Sequence, residues 1–309
     1  MPLHPEFEAM LEQLAAAGGP SFTEMTPGQA REAYRMMQPL AEHISVQSVQ
    51  DRELLGPNNS IPVRIYTPEG VGPFPVFMNY HGGGWVIGDL DTADAQCRQI
   101  CSRVTCIVVS VDYRLAPEHV FPAALDDCYT ATCWVAENAD SINADANRIA
   151  VGGDSAGGNL AASVAIKARD ENGPSIIFQL LVYPVTDARC NSESYNTNAE
   201  GYLLTRETML WFWEHYAPTE SQKADPYASP ALASSFSNLP PAFVLTAEYD
   251  PLRDEGEAYA ELLKNASVTV QCKRYAGLIH GFFALSHVVS AGEPGMQDAC
   301  SALSESFKN

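Results

Sequence analysis

Residues 148–160, Arg148-Ile149-Ala150-Val151-Gly152-Gly153-Asp154-Ser155-Ala156-Gly157-Gly158-Asn159-Leu160, decide how the whole chain is read. The first half is a short apolar run ending in paired glycines, as expected of a strand covered on both faces. The second half opens a helix-like stretch over residues 157–170. At the junction, Gly153-Asp154-Ser155-Ala156-Gly157 is a G-x-S-x-G pentapeptide in a strand–turn–helix context, where the serine occupies a sharp and strained turn. Such a turn lifts the hydroxyl clear of the sheet, and the flanking glycines let strand and helix approach with no Cβ between them. Ser155 is therefore the candidate nucleophile.

Outward from this segment, strand-like and helix-like stretches alternate from about residue 44, which predicts an α/β fold with a mostly parallel, eight-stranded sheet flanked by helices. The predicted strands are 45–50, 61–67, 76–80, 105–112, 148–152, 176–183, 242–247 and 268–275. CIVVSV (106–111), IIFQLLVY (176–183) and AFVLTA (242–247) are almost continuously apolar, as strands buried on both faces require. The first two strands, joined by DRELLGPNN (51–59), are predicted to form an antiparallel hairpin at the sheet edge. Helices are predicted over 92–103, 123–138, 157–170, 252–264 and 296–307. Two helix-like segments interrupt the alternation, residues 1–45 and 185–230. They are predicted to form one helical cap over a catalytic domain of residues 46–184 and 231–309.

A second glycine cluster, His81-Gly82-Gly83-Gly84-Trp85, follows the strand PVFMNY (75–80). Three consecutive glycines expose backbone N–H groups with no side chain in front of them, and acyl transfer needs such donors where an oxyanion develops. Gly83, Gly84 and, from the serine turn, Ala156 are the candidate oxyanion donors. His81 is expected to brace this loop.

A serine hydroxyl needs a base. The chain order expected with this serine turn is Ser, acid, His. Of the seven histidines, that order leaves His280, in Gly277-Leu278-Ile279-His280-Gly281-Phe282-Phe283 just beyond the last strand, and His287. His280 is the predicted base. The seventh strand runs into Glu248-Tyr249-Asp250-Pro251-Leu252-Arg253-Asp254-Glu255. Asp250 lies past the strand's C-terminal end, where catalytic groups gather in such sheets, and Pro251 suits the first turn of the next helix. Asp250 is the predicted acid, holding His280 in the productive tautomer, and Glu248 and Asp254 are its rivals.

Composition narrows the partners. The chain has 309 residues and a formal charge of −20, from 18 Lys and Arg against 38 Asp and Glu. Nucleic acid and anionic membrane surfaces both require a basic footprint, so neither is expected. No cationic, apolar leader is read at the start, and no run reaches transmembrane length. The eight cysteines form no C-x-x-C pair and lie at no zinc spacing from the histidines. They read as small buried apolar residues of a cytoplasmic protein, with no metal site.

The combination of HGGGWVIGDLDTAD (81–94), DYRLAPEH (112–119), GDSAGGNL (153–160), DPLRDEG (250–256) and HGF (280–282) resembles the hormone-sensitive-lipase-like branch of α/β-hydrolase esterases, bacterial lipolytic family IV. The resemblance spans residues 81–282. It implies an α/β-hydrolase fold and a carboxylesterase that hydrolyses short- to medium-chain esters through an acyl-enzyme, with no cofactor, and it suggests a homodimer. Amidase, lactonase and deacetylase chemistry would use the same triad. A non-catalytic small-molecule receptor on this fold is the alternative from another class, and an intact Ser155, Asp250 and His280 argue against it. For the substrate pocket, Trp85, Val86, Asp154, Phe282, Trp211 and Trp213 are the candidates.

Overall fold

The computed structural model describes residues 1–38, 44–56 and 60–308. Residues 39–43 of the predicted cap and 57–59 of the predicted hairpin connection lie outside the described residues. The chain folds as the predicted sheet of eight strands: β1 (Ser48–Leu55), β2 (Ser60–Thr67), β3 (Phe74–Tyr80), β4 (Ile107–Val111), β5 (Ala144–Asp154), β6 (Ile176–Val182), β7 (Ala242–Tyr249) and β8 (Val270–Ile279). Their spatial order is β1-β2-β4-β3-β5-β6-β7-β8. β2 runs antiparallel to both β1 and β4, and every other pair is parallel.

Helices α1 (Pro5–Ala17) and α2 (Pro27–Met36) precede the sheet. Within it, α3 (Asp94–Val104), α4 (Ala123–Asn138) and α5 (Ala156–Asp170) connect successive parallel strands. The excursion between β6 and β7 holds α6 (Ser194–Thr197), α7 (Arg206–Tyr216) and α8 (Glu220–Lys223). α9 (Arg253–Asn265) links β7 to β8, and α10 (Glu293–Ser306) closes the chain.

Strand periodicity explains the layering. Val76, Met78 and Tyr80 of β3, Ile107, Val109 and Val111 of β4, and Ile149 and Val151 of β5 enter one apolar cluster with α4, α5 and α9. The intervening Phe77, Val108 and Ala150 enter a second cluster with α3 and α10. Successive side chains of a strand point to opposite faces, so unbroken apolar runs are what a sheet covered on both sides requires.

Several boundaries differ from expectation, among them that of β5, which starts at Ala144 rather than 148. The first strand is Ser48–Leu55 rather than 45–50, because Asp51 to Leu55 pair with Arg64 to Ser60 instead of forming the connection. Their polar, alternating character suits an edge strand, where one row of side chains faces water. The last strand extends to Ile279, so His280 follows it directly. All eight cysteines are free thiols, six of them buried. Among the described residues no helix is long and apolar enough to cross a membrane.

Candidate active site

β5 lies at the middle of the sheet and ends at Asp154, so the serine turn opens at the C-terminal edge, where ligands gather in parallel sheets. Ser155 has φ 56° and ψ −117°, a conformation that an L-residue keeps only when its surroundings impose it. They do so through three backbone hydrogen bonds. Ser155 N–H donates to Val182 O at 2.9 Å, and its carbonyl accepts from Asn159 and Val185 N–H. A Cβ on Gly157 would lie 1.8 Å from Tyr80 O, so only glycine lets α5 start this close to β3. Asn159 adds a tie of its own, donating from Nδ2 to Val185 O and Ala228 O, each at 2.9 Å. One buried side chain on α5 thus fastens both ends of the excursion between β6 and β7.

Asp250 and His280 meet although they come from different strand ends. His280 Nδ1 and Asp250 Oδ2 are 2.7 Å apart, and Asp250 is fully buried. Asp250 Oδ1 accepts the Leu252 N–H at 2.8 Å, and Asn198 Nδ2 holds its carbonyl oxygen. With its other ring nitrogen left for chemistry, the imidazole is fixed as a base requires. The rival acids have other partners. Glu248 accepts the Gly277 N–H at 2.7 Å. Asp254 accepts the Ser194 N–H at 2.8 Å, and against the effect of burial its bonds to Arg253 and Ser194 hold its carboxyl below the usual range. His287 sits in a turn, with Nδ1 against Ala284 O.

The glycine loop is held rigidly. His81 is buried, stacks on Tyr113 with ring centroids 4.2 Å apart, and places Nδ1 2.8 Å from Gly82 O. Arg31 of α2 ties the loop to the DYRLAPEH segment, donating to Val86 O, Ala116 O and the Glu118 carboxylate. Arg114 and Asp127 pair within and behind that segment. Its role here is scaffolding. Among the described residues, the N–H groups of Gly83, Gly84 and Ala156 find no protein acceptor. Unsatisfied amides next to a nucleophile are ready donors for an oxyanion.

Ser155, His280, Gly83 and Gly84 line one cavity of about 650 Å³. Much of its wall comes from the segments outside the sheet domain. α1 contributes Ala9, Met10, Gln13 and Leu14 from one face, the N-terminal region adds Phe22 and Tyr34, and the excursion adds Leu203, Leu204, Thr208 and Phe212. Of the six pocket candidates, only Asp154 is in this wall. Burial pushes its carboxyl up from the ordinary value, against the Gln96 hydrogen bond, His280, His81 and the Gly82 amide.

The other five candidates are placed elsewhere. Trp85 is fully buried, stacked on Tyr216 at 4.2 Å and tilted against Trp213. Val86 lies in the same core, and Phe282 packs on Tyr183 and Tyr275. Trp211 turns toward His215. Successive helical residues point about 100° apart, so Trp211 and Trp213 flank Phe212, and it is Phe212 that faces the cavity. Its ring covers Gly84 so closely that a Cβ there would lie 2.1 Å from it. Sequence reading also missed Tyr34 and Gln96, since no local pattern marks either. Among the described residues no three His, Cys, Asp or Glu side chains come together as a metal site.

Known proteins share this architecture. A family model described as the α/β hydrolase fold matches residues 77–284. A carboxylic ester hydrolase of Mycobacterium tuberculosis, LipN, is 45% identical over 261 residues, which cover 82% of this chain and 69% of the relative. An ethyl acetate hydrolase of Pseudomonas putida is 35% identical over 320 aligned positions, covering 99% of each chain. Among solved structures, a thermostable esterase from Pseudomonas putida is similar with a TM-score of 0.95 at 39% identity, covering 99% of this chain and 98% of that one. On the extent of that match and those identities, the chain belongs to the α/β-hydrolase fold family, in its hormone-sensitive-lipase-like branch.

Proposed function

We propose that this protein is a serine carboxylesterase that cleaves short- to medium-chain carboxylic esters through an acyl-enzyme. The observation that carries the reading is the convergence of the strained Ser155, the His280 of the 2.7 Å His280–Asp250 pair and the acceptor-free amides of Gly83 and Gly84 on one largely apolar cavity, with the Ala156 amide next to the serine in the chain. Similarity to carboxylic ester and ethyl acetate hydrolases supports the same bond type.

In this reading Ser155 Oγ attacks the ester carbonyl carbon while His280 Nε2 takes its proton. The carbonyl oxygen becomes an oxyanion held by the Gly83, Gly84 and Ala156 N–H groups. Collapse of the tetrahedral adduct breaks the bond to the alkoxy oxygen, which leaves as the alcohol with the proton from His280. Water, deprotonated by His280, then attacks the acyl carbon, and Ser155 departs with that proton restored. Asp250 stabilises the imidazolium in both steps. α1, α2 and the 185–230 excursion act as the cap that shapes and dries the cavity.

The test is Ser155→Ala assayed on p-nitrophenyl butyrate. Removing a triad nucleophile costs about 10⁶ in kcat where measured. Retention of even a hundredth of wild-type turnover by the folded variant would overturn the proposal.

A further inference from the structure

Beneath the oxyanion glycines lies a row of buried polar side chains that takes no part in the chemistry just described. Gln96 on α3 donates from Nε2 to Asp154 Oδ1 at 3.2 Å and, at 3.4 Å, to Asn79 Oδ1 on β3. Asn79 Nδ2 donates in turn to Ser110 Oγ on β4 at 3.3 Å. None of the four is more than 7% exposed. Buried polar groups cost free energy that apolar side chains at the same positions would not, so a row of four between strands and helix calls for a reason beyond packing.

The row ends on Gly82, whose N–H donates to Asp154 Oδ1 at 3.0 Å. Peptide planarity makes that contact consequential. The plane joining residues 81 and 82 is gripped at both edges, its N–H by Asp154 and its carbonyl by Tyr113 Oη at 2.7 Å. The plane joining 82 and 83 is gripped at its carbonyl by His81 Nδ1, and the N–H on its opposite edge is that of Gly83. Gly83 and Gly84 have φ of 118° and 56°. Glycines at such angles have little conformational preference of their own, so their N–H groups are aimed by what holds their peptide planes. The 83–84 plane is tied at its carbonyl by the Val86 and Ile87 N–H groups. The 82–83 plane, which carries the Gly83 N–H and leads into it, depends on the contacts around Gly82.

We propose that Asp154 and Gln96 are positioning residues that fix the Gly82 amide and thereby aim the Gly83 and Gly84 N–H groups at the developing oxyanion. The inference rests on the serine-esterase reading. Asp154 is joined to Ser155 by a peptide bond and to the glycine loop by a hydrogen bond, so it sets the spacing between nucleophile and oxyanion donors. Gln96 holds the carboxylate in the orientation that reaches Gly82. A mis-aimed donor weakens binding of the transition state more than that of the ester, so the loss appears in kcat.

Gln96→Leu, Asp154→Ala and Asp154→Asn test this. Turnover of p-nitrophenyl butyrate is measured per active site titrated with a p-nitrophenyl alkylphosphonate, together with Tm and inhibition by a trifluoromethyl ketone, which forms an anionic tetrahedral adduct. Displacing reacting groups by 1 Å costs up to about 100-fold. Gln96→Leu and Asp154→Ala should therefore lower kcat about tenfold or more per titrated site, leave KM within about twofold, and weaken the ketone by the same factor as kcat. Asp154→Asn keeps a carbonyl acceptor for Gly82 and should recover much of the loss. If Asp154→Ala does not fold, Gln96→Leu decides alone. Normal turnover per titrated site in Gln96→Leu, with only Tm reduced, would overturn the proposal, as would a loss confined to KM. Failure of the phosphonate to label Ser155 in the wild type would instead defeat the serine-esterase reading itself, and the positioning role with it.

Discussion

Gly84→Ala isolates the proposed oxyanion loop better than any truncation does. Gly84 sits at φ 56°, and a Cβ built there lies 2.1, 2.3 and 2.3 Å from three ring carbons of Phe212. The left-handed backbone alone costs alanine about 1–2 kcal/mol, which the fold can absorb. The overlap is the larger effect. Carbon atoms in ordinary contact are about 3.5–4.0 Å apart, so loop and ring must separate by more than 1 Å. Phe212 is 4% exposed and packed in the same core cluster as Met209 and Trp213, so the ring cannot take up the whole separation and the glycine loop is forced to shift against its hydrogen bonds. Its motion carries away the Gly84 N–H and tilts that of Gly83. Removing one oxyanion donor costs about 10²–10³ in kcat, or about 2.7–4 kcal/mol. We expect kcat for p-nitrophenyl butyrate to fall by about that factor per phosphonate-titrated site. Gly84→Ala combined with Phe212→Ala should restore part of the loss by giving the methyl room. A kcat within about threefold of wild type for Gly84→Ala would show that these amides do not hold the oxyanion, because the displacement is forced by packing.

Other consequences follow from the same contacts. In Asp250→Asn the new Oδ1 keeps the Leu252 N–H, so the amide NH₂ is left facing His280 Nδ1 and drives the ring proton to Nε2. That tautomer cannot accept the serine proton, and kcat should drop about 10⁴-fold with little change in Tm, whereas a drop under tenfold would remove Asp250 from the acid's role. Glu255 is buried with Oε1 on the Thr186 N–H, and burial, with Asp187 nearby, raises its carboxyl well above the ordinary 4.5. Because the folded value exceeds the unfolded one, the stability it contributes is complete below about pH 4.5 and is lost as the pH rises toward the folded value. Glu255→Gln should therefore gain Tm over wild type as the pH rises above about 5, and a pH-independent difference would refute this. Residues 1–45 and 185–230 together carry −8 of the −20 charge, so an ester with an anionic acyl or alcohol group should show a kcat/KM that rises with salt, while a neutral ester should not. A flat response for both would leave the acidity without a role at the site.

The sequence by itself determined the order of strands and helices, the serine turn, the glycine loop, and the choice of Asp250 and His280 as the candidate pair that the fold then brings together. These are local properties. Apolar runs of strand length and a glycine where a Cβ would strike backbone each depend on a few neighbouring residues. Even the misplaced edge strand erred only in phase, since Asp51 to Leu55 resemble a polar connection until they are paired with β2.

The tertiary structure alone decided which side chains form the wall of the cavity around Ser155. A single residue along a helix rotates a side chain by about 100°, which separates Phe212 from the tryptophans on either side of it. Trp85, adjacent in sequence to the glycines proposed to hold the oxyanion, turns into the core at φ 60° and stacks on Tyr216. Asn159 reaches two carbonyls 26 and 69 residues away. Gln96 meets Asp154 across 58 residues of chain. Backbone sterics act over a few bonds and leave a signature in the residues that obey them, whereas side-chain direction is settled by packing against elements distant in the chain, which no local stretch of sequence encodes.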